Sequence, residues 1–190
     1  MAKIGCKCLG FAKKTASGTE GGKILSPLVD ANLTVNLATG ELYGDDELQD
    51  SISEFISGAL ACNLTDLEPA DEALMFGSTQ AESAGDLTDK VSDEPPEGVV
   101  AYYRKIRRKV SGIMKTMYEG VSFPSARATL GSDNAQTKNA SITFQTSPIS
   151  FTIKADSTGA WRVRKTLDTE AAALTWVKEK LGITAGGGGD

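Results

Sequence analysis

Histidine is absent from all 190 residues. Its absence removes Ser-His-Asp and Cys-His catalysis together with histidine-ligated zinc or iron. Cysteine is scarce: Cys6, Cys8 and Cys62 are too few for a zinc site of thiolates alone, and their odd number makes no disulfide framework. On a strand Cys6 and Cys8 point to one face, and all three read as reduced, mostly buried, small apolar residues. No apolar run approaches the roughly 18 residues of a spanning helix, and Met1 to Gly10 lacks the apolar core of a secretory signal. The expectation is a soluble protein made in the cytoplasm, without a membrane partner. Aromatic residues are only 6% of the chain, which disfavours a ligand-binding β-barrel with a wide apolar interior. Neither G-x-x-x-x-G-K-S/T nor G-x-G-x-x-G occurs, so no nucleotide loop is read, and neither a cofactor nor catalysis is expected.

Alternating apolar and polar residues dominate what is present. Ile142 and Phe144 alternate with Ser141, Thr143 and Gln145, Pro148 interrupts, and Ile149, Phe151 and Ile153 resume the pattern. Asp156-Ser157-Thr158-Gly159 supplies turn chemistry, and Trp161 to Arg164 alternates apolar with cationic residues, which predicts a hairpin. Asp168 or Thr169 can cap a helix in which Ala171, Leu174, Val177 and Leu181 recur at helical spacing, with Gly182 where a left-handed cap belongs. A second, short helix is predicted from Pro69 to Phe76, opened by proline and acids and closed by Gly77. Further strands are expected over Lys3 to Phe11, Leu33 to Leu37, Ser57 to Leu64, Val99 to Ile106 and Ile113 to Phe123. Turns are expected at Ala38-Thr39-Gly40 and over Arg107 to Gly112, and Pro124 is expected to end its strand. Lys13 to Lys23 reads as a loop or mobile arm, Glu47 to Ile56 fits a short helix or, the preferred reading, an irregular loop, and Ser78 to Gly98 and Ser125 to Lys138 read as long loops. The predicted fold is mainly β with some α: an antiparallel β-sandwich or barrel flanked by a helix. One domain over residues 1–184 with a flexible glycine-rich tail over 185–190 fits the length and the 40% hydrophobic content.

Charge is unevenly distributed. Residues 41–97 hold sixteen of the twenty-five acids and a single cation, Lys90, so a net charge of −5 conceals −15 there and +10 elsewhere. Such asymmetry suggests complementary surfaces within one molecule or between copies. Asp45, Asp46, Glu47 and Asp50 read as a solvated acidic turn, because their spacing is not that of a calcium loop. Arg104, Lys105, Arg107, Arg108 and Lys109 form one basic patch with Tyr102 and Tyr103 beside it. Basic residues interleaved with aromatics suggest an alternative, a small nucleic-acid-binding module, although a chain of pI near 4.9 opposes a phosphate backbone. The main expectation is that these cations face Asp45, Asp46 and Glu47 of a neighbouring copy. Trp161 and Trp176 are expected to anchor a core or an interface rather than to cage a ligand.

Several segments, in order, resemble the major tail tube proteins of long, flexible-tailed bacteriophages. They are Lys3-Ile4-Gly5, Gly40 to Asp46, Asn63 to Leu67 before the short Pro-to-Gly helix, Asp93-Glu94-Pro95-Pro96 before the Tyr102-Tyr103 strand, and Ile142 to Pro148 followed by Asp156 to Trp161. The resemblance runs from Lys3 to about Trp176. Ser147 and the Arg107-Arg108 pair depart from the pattern. The resemblance implies a virion structural protein without catalytic or cofactor residues, assembled in the bacterial cytoplasm. It implies hexameric rings that self-assemble into a hollow tube conducting double-stranded DNA during ejection, with tape measure, tail terminator and distal tail proteins as partners.

Overall fold

Strand-forming alternation and two glycine-closed helices organise the chain more completely than local pattern alone indicates. The structure, a computed structural model, describes residues 2–80, 86–129, 131 and 146–183. Ten strands, β1 (Ala2–Thr15), β2 (Gly18–Ile24), β3 (Leu28–Gly44), β4 (Glu47–Leu64), β5 (Thr79–Gln80), β6 (Leu87–Thr88), β7 (Glu97–Val110), β8 (Ile113–Thr129), β9 (Ser147–Ile153) and β10 (Val163–Leu167), accompany helices α1 (Pro69–Phe76) and α2 (Glu170–Lys180). The main sheet runs β2-β1-β7-β8-β9-β4-β3, with β10 also paired to β8, and every pairing is antiparallel. The sheet folds back on itself so that Cys6 Sγ of β1 lies 4.0 Å from the Val29 carbonyl of β3. The result is an antiparallel β-sandwich flanked by a helix.

Two apolar clusters hold it. Inside the sandwich lie Leu9, Phe11, Leu60, Phe123, Phe151 and Ile153, with Met75 and Phe76 of α1 joining the same cluster. On the outer face, Ala12, Val99, Ala101 and Tyr103 pack against Ala173, Trp176, Val177 and Leu181. Residues 98–103 of β7 are therefore buried without a break, as expected for a strand covered on both faces. Gly120 matters here because any Cβ would approach Trp176 Cε3 to 2.3 Å. Thr169 caps α2 by accepting from Ala172 N at 3.2 Å, and Gly182 takes φ 67° after its last turn. Helix α1 has its predicted bounds, with Pro69 in the first turn and Gly77 at φ 78°.

Several expectations are corrected. Lys13 to Lys23 is not an arm: β1 continues to Thr15, turns at Ala16 and Ser17, and returns as edge strand β2. Backbone pairing makes this hairpin, so its glycine- and threonine-rich composition does not prevent it. Ala38-Thr39-Gly40 is not a turn and Glu47 to Ile56 is not a loop, because β3 and β4 pair continuously out to Gly44 and Glu47. The turn lies at Asp45 and Asp46, both with positive φ (51° and 64°), a short polar turn that asparagine or aspartate tolerates best. The β7–β8 turn shrinks to Ser111-Gly112.

Pro124 lies within β8, and Ser125 to Thr129 continue that strand. The register slips there opposite Gly98 and Val100, while the other edge of β8 passes from β10 to β9. The missing N–H of Pro124 falls in the gap between the two partners. Strand β10 does not form a hairpin with β9; the Asp156 turn carries the chain across to pair Val163 with Ser122. The turn itself is as expected, with Asp156 Oδ1 accepting from Thr158 N and Ala160 N. Cys6 and Cys8 face opposite ways, Cys6 toward the inner cluster and Cys8 toward the outer, because the register shifts around them and Cys8 takes φ 57°. Among its described residues, the predicted loop from Ser78 to Gly98 contains the small β5–β6 ladder and the start of β7. The predicted strand over Ser141 to Gln145, most of the loop to Lys138 and the glycine tail lie outside the described residues.

Candidate functional site

Strand β4 pairs with β9 only from Gly58 to Leu64, whereas it pairs with β3 all the way to Glu47. Residues 37–55 thus form a two-stranded ribbon standing clear of the sheet, reaching about 25 Å at the usual rise per strand residue. An isolated ribbon of this kind is marginal in water. This one also leaves Leu42 (63% exposed), Tyr43 (62%), Leu48 (53%) and Ile52 (59%) in solvent. Asp45, Asp46 and Glu47 are exposed at its tip. At its base Phe55 stacks on Trp161, with centroids 4.4 Å apart and planes within 7°.

A second arm is the end of the β7–β8 hairpin from Lys105 outward, which runs past Arg107, the last β7 residue paired with β1. Lys105, Arg107, Arg108 and Lys109 are exposed along it, and so are Ile113 and Met114. Arg104 is separated from that group. It lies opposite Glu119 in register; its Nε donates to Glu119 Oε2 at 2.6 Å, its Nη2 lies 2.5 Å from the same oxygen as an ion pair, and the Glu119 side chain is only 7% exposed. Tyr102 and Tyr103 are each 4% exposed, so neither offers a face on which a nucleic-acid base could stack. Among the described residues, no ion pair joins the basic arm to Asp45, Asp46 or Glu47 of the same chain.

Where the inner apolar cluster ends, the sandwich opens into a cavity of about 450 Å³. Leu33 and Val35 of β3 form one wall, and among the described lining residues are four cations, Lys3, Arg104, Arg162 and Arg164, and one carboxylate, Glu119. Arg164 Nη1 is 3.8 Å from Glu119 Oε1. The Arg162 guanidinium lies 4.4 Å above the Trp161 ring, so the Phe55–Trp161 stack orients it. Burial, followed by the charges of Arg164 and Arg104, holds the Arg162 pKa below its ordinary value. Four cations against one anion leave the cavity strongly positive. Sequence reasoning missed Glu119, Arg162 and Arg164 as members of one site. The Arg104–Glu119 pairing was encoded, because the two residues stand equally far from the Ser111-Gly112 turn.

A different polar cluster fastens α2. Glu170 accepts from Lys7 Nζ and Tyr103 Oη, both at 2.8 Å, and from Tyr118 Oη at 3.4 Å. The Lys7 contact, then that of Tyr103, lowers its pKa. Burial pushes the Cys62 thiol up to about 12 and raises that of Cys6, so neither is a thiolate near neutrality. Among the described residues no grouping of three or more cysteine or acidic side chains suits a metal ion. The arrangement offers charge-assisted and apolar docking surfaces. No family model matches the chain, and no curated protein matches it.

Proposed function

We propose that the protein is a structural subunit that assembles with copies of itself, and that the assembly is the hexameric ring of a phage tail tube. The projecting β3–β4 ribbon carries this reading. Leu42, Tyr43, Leu48 and Ile52 along it gain little from the subunit's own core, and a neighbouring copy would bury them. The ordered resemblance to tail tube proteins supplies the kind of assembly: rings stacked into a hollow conduit for double-stranded DNA. The acidic ribbon of one copy approaches the cationic side of the next, where Lys105, Arg107, Arg108 and Lys109 line the β7–β8 arm. Exposed pairs contribute about 0.2 to 1 kcal/mol each, so they orient the copies while apolar contacts hold them. Two different surfaces meeting head to tail repeat into rings or filaments. Negative-stain electron microscopy of the purified chain tests the reading. Rings or tubes are the expected result, and monodisperse monomers at high concentration would overturn it.

A further inference from the structure

Building on the assembly reading, we propose that the cationic cavity at the open end of the sandwich is a socket for the acidic turn Asp45-Asp46-Glu47 of a second copy. The cavity needs an anionic occupant. Lys3, Arg104, Arg162 and Arg164 line it, Glu119 is the only acid among its described lining residues, and Glu119 is already engaged by Arg104 and Arg164. Among the described residues neither Lys3 nor Arg162 has an ion-pair partner. Arg162 is nevertheless held in place, with its Cζ 4.4 Å over the Trp161 ring and no hydrogen bond or ion pair to another described residue. Orientation before binding lowers the entropy lost when a carboxylate arrives.

Size favours a peptide turn over a small ion. A volume of about 450 Å³ greatly exceeds that of a single bound anion, whereas a short turn with carboxylate side chains can occupy such a space. The turn must also come from another molecule. Val35 lines the cavity and Asp45 follows the last residue of the same strand, Gly44, which puts the tip roughly 30 Å from its own socket at the rise of a β-strand. The chain therefore carries plug and socket on different surfaces, and that ribbon length sets the offset between successive copies. The basic arm continues directly from the cavity: Arg104 lines it, and exposed Lys105, Arg107, Arg108 and Lys109 follow on β7. The arm steers the approaching acids, and the cavity seats them.

Carbodiimide coupling tests the contact, because it joins a lysine amine to a carboxylate only when they touch. Equal amounts of isotopically heavy and light full-length protein are mixed, coupled and digested. The expected product is a heavy–light crosslink between Lys3 and Asp45, Asp46 or Glu47. In parallel, Arg162→Glu with Arg164→Glu should raise the concentration needed for assembly about tenfold or more. Adding Asp45→Lys and Asp46→Lys to that variant should restore assembly. Rings that form without the heavy–light crosslink overturn the socket and leave the tube reading standing. Crosslinked dimers or open filaments support the socket and overturn the ring. Monomers without the crosslink overturn both.

Discussion

The α2-covered half of the sandwich and the β3–β4 ribbon are both antiparallel β-structure, yet they treat apolar side chains in opposite ways. Around α2, Ala101, Tyr103, Trp176, Val177 and Leu181 are buried, and Gly120 leaves room for the indole. Along the ribbon, Leu42, Tyr43, Leu48 and Ile52 are all more than half exposed. Hydrophobic burial stabilises by roughly 25 cal/mol per Å² removed from water, so the first region holds the subunit together and the second gives it almost nothing. If the proposed assembly holds, folding and association fall to different parts of one sheet. The two roles separate experimentally, and the variants below rank from the largest expected loss of subunit stability to the smallest.

Trp176→Ala should cost the most, about 3 to 5 kcal/mol, because it empties the space between α2 and β8. Chemical denaturation would show a lower midpoint for the whole subunit. A change below about 1 kcal/mol would mean that α2 is not an integral part of the core.

Lys23→Met acts at the other end of the sandwich. Lys23 Nζ lies 2.6 Å from Asp71 Oδ1, and the Asp71 side chain is 1% exposed. The variant leaves Asp71 buried without its cation and beside Glu68, at an expected cost of about 2 kcal/mol. That figure lies below the range for fully buried pairs because Lys23 is itself partly exposed. Asp71→Asn added to the variant should recover most of the loss.

Acid acts more gently on the subunit. Contact with Lys14 holds Glu97 below its ordinary pKa of 4.5, and contact with Lys7 does the same for Glu170. A depressed carboxylate pKa contributes stability that is fully present above the unfolded value and is lost as pH falls through the folded value. Subunit stability should therefore hold steady above pH 4.5 and decline below it. Glu170→Gln should flatten part of that decline in denaturation midpoints measured across the acid range. An unchanged slope would show that the Lys7–Glu170 contact does not persist in solution.

Legibility in the sequence divides along the same line. Helix α1 was readable because proline and glycine mark its two ends, and β9 because Ile149, Phe151 and Ile153 alternate into the core. The ribbon was not readable. Gly40 and a run of polar residues imitate a turn and a loop, and nothing local reveals that β3 and β4 pair past the sheet edge. The partner of β10 is likewise a tertiary choice, settled by the free edge that β8 leaves beside Tyr118 to Ser122. Of the site residues, the exposed positions of Asp45, Asp46, Glu47, Arg107, Arg108 and Lys109 follow from their hairpins. The inward turn of Arg104 does not follow without knowing that Ser111-Gly112 sets the register opposite Glu119.

The ribbon supplies the smallest effect on the subunit and the clearest contrast. Leu42→Ser with Ile52→Ser removes two exposed apolar side chains at positions where β4 lacks β9 as a neighbour. Because neither side chain is buried, stability of the isolated subunit should change by no more than about 0.5 kcal/mol for each. Backbone pairing between β3 and β4 is untouched, so circular dichroism should match the parent. Assembly should nevertheless fail or need a much higher concentration, because the apolar area that a neighbour would cover is gone. If the double variant unfolds instead, the ribbon contributes to the core of its own subunit. If it folds and still forms rings at the parental concentration, the exposed apolar residues serve no interface, and the case for assembly loses the observation on which it rests.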